Sequence, residues 1–236
     1  MSELIVALDL PSQREALALV DQLDEAVGVY KVGLELYTRE GPGVVRALHG
    51  RGKRVFLDLK LHDIPNTVAK AVEAASALEV DLLTLHTTGG RSMMEAAADA
   101  AGGSLELLGV TVLTSTTKGE LAETWDRPVE ETEPEVLRLA RLAQAAGIPG
   151  VVASAREARA LREALGPDAL IVTPGIRLPN DDVGDQVRVA TPAAAVADGA
   201  THLVVGRPIR SAGDPVAAAQ TFRQEIERAV EEQESA

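Results

Sequence analysis

The chain has 236 residues, enough for one domain, and its 46% apolar content can build a full core. Aromatics make up only 2%, so that core must be mostly Ala, Val and Leu. The absence of cysteine excludes disulfides, thiolate metal ligands and thiol nucleophiles. A net charge of −13 argues against nucleic acid as a partner, and an anionic ligand would need a local basic site working against the global field.

The chain opens on Met1-Ser2-Glu3, then a short apolar stretch that meets Pro11. That stretch is too short for a signal peptide or a membrane span and has no basic start. A cytoplasmic protein without a membrane partner is expected. From there, short apolar runs alternate with longer Ala/Leu/Glu/Arg stretches of helical period. The predicted strands are Leu4–Asp9, Val29–Val32, Arg54–Lys60, Leu82–Leu85, Leu107–Leu113, Gly150–Ala153, Leu170–Thr173 and His202–Val205. The predicted helices that follow them are Ser12–Leu23, Gly41–His49, Asn66–Leu78, Ser92–Ala101, Pro134–Ala146, Ala155–Leu165, Thr191–Asp198 and Pro215–Glu232. Ser12 ahead of Glu15, and Pro134 in a first turn, are helix-start signals. Eight strand–helix units in one chain of this length predict a single-domain α/β protein, a closed (β/α)₈ TIM barrel over residues 1–236. A doubly wound open sheet is the alternative, but a Gly-rich turn would be expected after its first strand. Asp9-Leu10-Pro11-Ser12 stands there instead.

Two strand-to-helix connections are long, Thr114–Glu133 and Pro174–Ala190. In a barrel both lie on the face that carries the active site, and such loops often act as lids.

Charge gathers at the ends of the first three strands. The first ends in Asp9, on the face of Ile5 and Ala7. The second carries Lys31. The third ends in Asp58 and Lys60, with Asp63 just beyond. Residues two apart in a strand share a face, so Phe56, Asp58 and Lys60 should point together. Buried charges at a strand end are costly unless paired. A structural ion network is the plain alternative, but five charges at three consecutive strand ends favour a catalytic site. After the seventh strand comes Thr173-Pro174-Gly175-Ile176-Arg177, and after the eighth Gly206-Arg207-Pro208. These are the two positions of the usual barrel phosphate site, and arginine adds bidentate recognition. Gln186 in the second long loop could complete a clamp. Thr114 and Ser115, read as the end of the fifth strand, could hydrogen-bond a ligand amide or merely cap a turn. His62 and His86 lie near the mouth and could join Asp58 and Asp63 around a metal ion. Packing histidines are the simpler reading.

The run Phe56-Leu57-Asp58-Leu59-Lys60-Leu61-His62-Asp63-Ile64-Pro65-Asn66-Thr67 resembles the signature of the orotidine 5′-monophosphate decarboxylases. Ala7-Leu8-Asp9, Tyr30-Lys31-Val32-Gly33, Leu113-Thr114-Ser115, the Thr173–Arg177 segment and Val205-Gly206-Arg207-Pro208-Ile209 match that family in order along the chain. The resemblance implies conversion of orotidine 5′-monophosphate to uridine 5′-monophosphate and carbon dioxide, the last step of de novo pyrimidine nucleotide synthesis. It implies no metal or organic cofactor, and a homodimer whose sites borrow residues across the interface. Lys60 would be the proton donor, with Lys31, Asp58 and Asp63 as its alternating charge partners. Asp63 and Thr67 would serve the neighbouring subunit's site, and Ile64, between them in the signature, would bind substrate. Asp9 and Lys31 would hold the ribose hydroxyls, and Thr114 and Ser115 would meet the pyrimidine. Arg177, Gln186, Gly206 and Arg207, beside Pro174, would hold the phosphate. The nearest rival is a metal-dependent sugar-phosphate lyase on the same barrel, which shares an Asp-x-Lys-x-x-Asp pattern. Ile64-Pro65-Asn66-Thr67 favours the nucleotide enzyme. A non-catalytic phosphate-ligand sensor would leave the Lys/Asp alternation without a reason.

Overall fold

Alternating apolar runs and amphipathic stretches close into a barrel. The computed structural model describes residues 2–102, 105–179 and 189–235. Its eight parallel strands are β1 (Glu3–Ala7), β2 (Val29–Gly33), β3 (Arg54–Leu61), β4 (Leu82–His86), β5 (Glu106–Val110), β6 (Gly150–Val152), β7 (Leu170–Pro174) and β8 (His202–Val205). They pair in sequence order, and β1 pairs with β8 to close the ring. The principal outer helices are α1 (Gln13–Leu23), α2 (Leu34–Glu40), α3 (Gly43–His49), α4 (Pro65–Ser76), α5 (Arg91–Ala100), α6 (Lys118–Trp125), α7 (Glu133–Ala145), α8 (Ala158–Leu165), α9 (Pro192–Ala197), α10 (Arg207–Arg210) and α11 (Pro215–Glu234).

Period-two alternation divides the core. Ile5, Ala7, Val29, Phe56, Leu82, Leu108, Val172 and Val204 fill the barrel. Their neighbours along the strands, such as Val6, Tyr30, Val55, Leu57 and Leu83, face the helices and join the larger outer cluster. The helices meet that cluster with residues three and four apart. In α11 these are Ala219, Phe222, Ile226 and Ala229, all buried.

Several boundaries differ from the sequence reading. β1 stops at Ala7 and β5 at Val110, short of the predicted Asp9 and Leu113. The predicted structureless stretch Thr114–Glu133 contains α6, whose start is fixed by a capping box. Thr117 accepts from the Glu120 N–H while the Glu120 carboxylate accepts from the Thr117 N–H. Trp125 ends that helix and packs on the cluster of Val136 and Leu139. The guanidinium of Arg127 lies 5.0 Å from its ring centroid and that of Arg138 6.0 Å. α2 and α10 were not expected from the sequence either. Among the described residues no helix is long and apolar enough to cross a membrane.

Candidate active site at the barrel mouth

Parallel pairing puts the ends of β1, β2 and β3 side by side, with Ala7 beside Lys31, and Gly33 beside Asp58. Four of the five predicted charges meet there. The chain of contacts runs Asp9 Oδ1–Lys31 Nζ at 2.9 Å, Lys31 Nζ–Asp58 Oδ2 at 3.6 Å and Asp58 Oδ1–Lys60 Nζ at 2.8 Å. Signs alternate along it, so each interior charge is flanked by its opposite. The side chains of Lys31 and Asp58 are 12% and 13% exposed, and that of Lys60 is 28% exposed. Burial pushes the Asp58 carboxyl up. The Lys31 and Lys60 charges, with hydrogen bonds from Lys60 and Thr84, outweigh it and hold the group below its ordinary value.

The pairing of Asp58 with Lys60 does not come from a straight pleat. Leu57 pairs with Leu83, but the next partner pair is Leu61 with Leu85, so β3 carries two residues more than β4 between them. Within this bulge Lys60 adopts φ +52°. A left-handed conformation costs a non-glycine residue about 1–2 kcal/mol. The Lys60 N–H donates to Thr84 Oγ1 at 2.8 Å, and the Thr84 hydroxyl donates to Asp58 Oδ1 at 2.9 Å. Sequence reasoning missed Thr84. Its signal was a polar residue in an apolar strand, on the same face as the inward-pointing Leu82.

Asp63 stands apart. It is exposed, and its Oδ1 accepts from the neighbouring Ile64 N–H. Among the described residues it makes no ion pair with Lys31 or Lys60. Ile64 is 66% exposed, and Thr67, in the first turn of α4, faces solvent as well. His62 and His86 pack against each other, ring centroids 5.5 Å apart. Burial, helped by the charges of His62 and Lys60, holds His86 below its ordinary value. No group of three or more His, Asp or Glu side chains among the described residues is arranged to hold a metal ion.

Two cavities adjoin at the mouth. The inner one, about 170 Å³, has Lys31, Asp58 and Lys60 on one side and Thr114, Val112 and Val152 on the other. The outer one, about 450 Å³, is lined by Asp9, Lys31, Gly175, Arg177, Gly206, Arg207 and Arg210. Lys31 and Pro174 border both. The two Gly/Arg segments therefore converge as predicted, and Arg210 adds a guanidinium the sequence reading did not include. Gly175 turns the chain at φ +80°, which a glycine adopts without strain. The Arg177 N–H donates to the Ala190 carbonyl at 2.9 Å, tying together the two ends of the long loop. Gln186 lies outside the described residues. Ser115 is exposed and does not line the inner cavity, whereas Thr114 does. Neither belongs to β5, which ends four residues before Thr114.

A larger space, about 590 Å³, lies at the other end of the barrel, where Ser2 and Thr201 lead into β1 and β8. Its guanidinium groups are engaged within the protein. Arg159 binds Asp198, and Arg162 donates to the carbonyls of Gly166, Pro167 and Gly199.

Against this geometry, the model of the Orotidine 5′-phosphate decarboxylase / HUMPS family matches residues 2–222. The chain belongs to that family. An orotidine 5′-phosphate decarboxylase from Moorella thermoacetica is 50% identical over 234 residues, covering 95% of this chain and 92% of that protein. One from Halorhodospira halophila is 53% identical over 227 residues, covering 94% and 95%. The crystal structure of orotidine 5′-phosphate decarboxylase from Lactobacillus acidophilus superposes with a TM-score of 0.85 at 36% identity, covering 96% of this chain and 99% of that one. The match to these decarboxylases thus runs along nearly the whole chain, and the shared fold is the TIM barrel.

Proposed function

We propose that this protein converts orotidine 5′-monophosphate to uridine 5′-monophosphate and carbon dioxide by direct decarboxylation, without a metal, with Lys60 as proton donor. The observation that carries the reading is the alternation Asp9–Lys31–Asp58–Lys60, in which the half-buried Lys31, Asp58 and Lys60 line a small cavity and the exposed Asp9 lines the arginine-lined one beside it.

The chemistry requires such a wall. When the carboxylate leaves the ring as carbon dioxide, the bonding pair stays on a vinylic carbon that resonance barely stabilises. Enzymes supply about 8–23 kcal/mol against barriers of this class. The Lys60 ammonium offers a charge to the developing carbanion and then a proton to the same carbon. Asp58 stabilises that ammonium and would face the substrate carboxylate. Two like charges about 4 Å apart cost about 4 kcal/mol at an effective dielectric of about 20, and this term vanishes as carbon dioxide departs. The pyrimidine fits beside Thr114, and Asp9 with Lys31 would hold the ribose. Arg177, Arg207 and the Gly206 backbone would take the phosphate, with Gln186 completing the clamp. Binding energy from that remote group can serve the exclusion of water from the reacting carbon.

In the homodimer that belongs to this reading, Asp63 and Thr67 act in the neighbouring subunit's site. Their exposure beside the mouth supports it, as does the lack of an ion pair, among the described residues, between Asp63 and the lysines of its own chain. A cytoplasmic location, with no nucleic-acid or membrane partner, accords with the acidic chain.

The test is the loss of orotate absorbance when purified protein meets orotidine 5′-monophosphate, with and without a chelator. Rapid loss in both is expected. Loss that the chelator abolishes would overturn the metal-free mechanism, and no loss by the folded protein would move the reading to the metal-dependent sugar-phosphate lyases.

A further inference from the structure

Thr84 has no exposed surface and does not line either mouth cavity, yet its hydroxyl joins two residues of the proposed site. The Lys60 N–H can only donate and an ionised carboxylate can only accept. The hydroxyl lone pair is therefore committed to Lys60 at 2.8 Å and its proton to Asp58 at 2.9 Å. Asp58 Oδ1 at the same time accepts from Lys60 Nζ at 2.8 Å. The result is a closed clasp: backbone of Lys60, hydroxyl of Thr84, carboxylate of Asp58, ammonium of Lys60. It sits where β3 carries its extra residues and where Lys60 is left-handed. A bulge without such a partner would leave a backbone donor unsatisfied and free the lysine backbone to relax.

We propose that Thr84 is a positioning residue that locks the Asp58 carboxylate and the Lys60 backbone into one unit, so that the ammonium delivers its proton at a fixed point in the cavity. The inference rests on the decarboxylase reading above. It adds a residue from β4, a strand that otherwise gives the proposed site no polar group.

The test compares Thr84→Val, which keeps shape and removes the hydroxyl, with Thr84→Ser, which keeps the hydroxyl. Thr84→Val should lower kcat about 100-fold, the scale of a small misplacement of a reacting group. Affinity for uridine 5′-monophosphate should stay within about threefold, because the ligand does not touch Thr84. Thr84→Ser should recover most of the loss. The acid limb of the kcat profile should move to higher pH in Thr84→Val, since Asp58 loses a donor that favours its ionised form. Amide exchange at Lys60, read by NMR, should quicken in Thr84→Val and stay slow in Thr84→Ser. Wild-type turnover in Thr84→Val would overturn the proposal, as would equal losses in Val and Ser, or a loss confined to nucleotide affinity. If Thr84→Val does not fold, Thr84→Ala takes its place with the same criteria. If the wild type leaves orotidine 5′-monophosphate unchanged, the decarboxylase reading fails, and Lys60 amide exchange still decides whether the clasp exists.

Discussion

Gly33 and Lys31 stand so close that a single methyl group at position 33 would lie 2.9 Å from the Lys31 ammonium and 3.0 Å from Asp9 Oδ1. The backbone of Gly33 is extended and would tolerate alanine, so the constraint is the space in front of it. Gly33→Ala should push the Lys31–Asp9 pair aside while leaving the barrel folded. The expected outcome is a fall in kcat/KM of about 10- to 100-fold with an unchanged circular dichroism spectrum. Unchanged turnover would mean that the pair yields without consequence.

Lys60 combines a proposed chemical role with a strained backbone, and two substitutions separate them. Lys60→Ala removes the ammonium and keeps the left-handed strain at φ +52°. Lys60→Gly removes both. Turnover should fall at least about 10,000-fold in each, since the proton donor and its charge are lost together. Binding of uridine 5′-monophosphate should survive. The glycine variant should be more stable than the alanine variant by about 1 kcal/mol, seen as a higher Tm. Substantial activity in either variant would remove Lys60 from the mechanism.

In the proposed reading, phosphate recognition falls to the arginines of the outer cavity, Arg177 and Arg207. Arg207→Ala should raise KM and lower kcat/KM by about 100-fold or more, the weight of a charge-assisted hydrogen-bonding partner. The phosphate-free nucleoside should be a poor substrate for the wild type and should gain nothing from Arg207. Equal rates on nucleoside and nucleotide would show that the arginines serve another purpose.

Much of this arrangement was legible in the chain. Alternation in Ile5-Ala7-Asp9 and Phe56-Asp58 placed carboxylates above an apolar interior, and the Gly/Arg segments after β7 and β8 fell together as the barrel geometry requires. What escaped was local. Thr117 and Glu120 spell a capping box, but the absence of a strong apolar stripe hid α6 behind a loop-like composition. The bulge at Lys60 leaves no mark on composition. Strict alternation put Asp58 and Lys60 together for a reason that is only partly right: the side chains meet, but through a left-handed residue held by Thr84. Such a bulge depends on the partner strand, which local patterns do not encode.

Stability should respond to acid in two windows. His202 is half-buried at the far end of the barrel, its Nδ1 2.9 Å from Thr201 Oγ1. Burial, aided by the Arg54 charge and opposed by Glu3, holds it below its ordinary value of 6.5. The unfolded chain therefore takes up this proton first, so the neutral histidine's contribution is intact above about pH 6.5 and is lost as pH falls through the lower folded value. Asp58, held below its ordinary 3.8, loses its contribution only at still lower pH. Tm should fall between pH 7 and pH 5. His202→Gln should flatten that slope without changing turnover at pH 7. An unchanged slope would assign the acid sensitivity elsewhere, His86 being the next group to replace.

Asp63 is the one predicted charge that does not join the alternation within its own chain, and its Oδ1 is occupied by the Ile64 N–H. If it completes the neighbouring subunit's site, Lys60→Ala and Asp63→Ala each inactivate a homodimer for different reasons. In a hybrid of the two, one site lacks both the lysine of its own chain and the aspartate of its partner, and is doubly damaged. The other has Lys60 from one chain and Asp63 from the other, and is whole. Mixing the two inactive proteins under subunit exchange should therefore restore activity, approaching about one quarter of the wild-type value when half of the dimers are hybrids with one intact site each. Absence of restoration, with exchange confirmed by mass, would place Asp63 in the site of its own chain and require its segment to move toward Lys60.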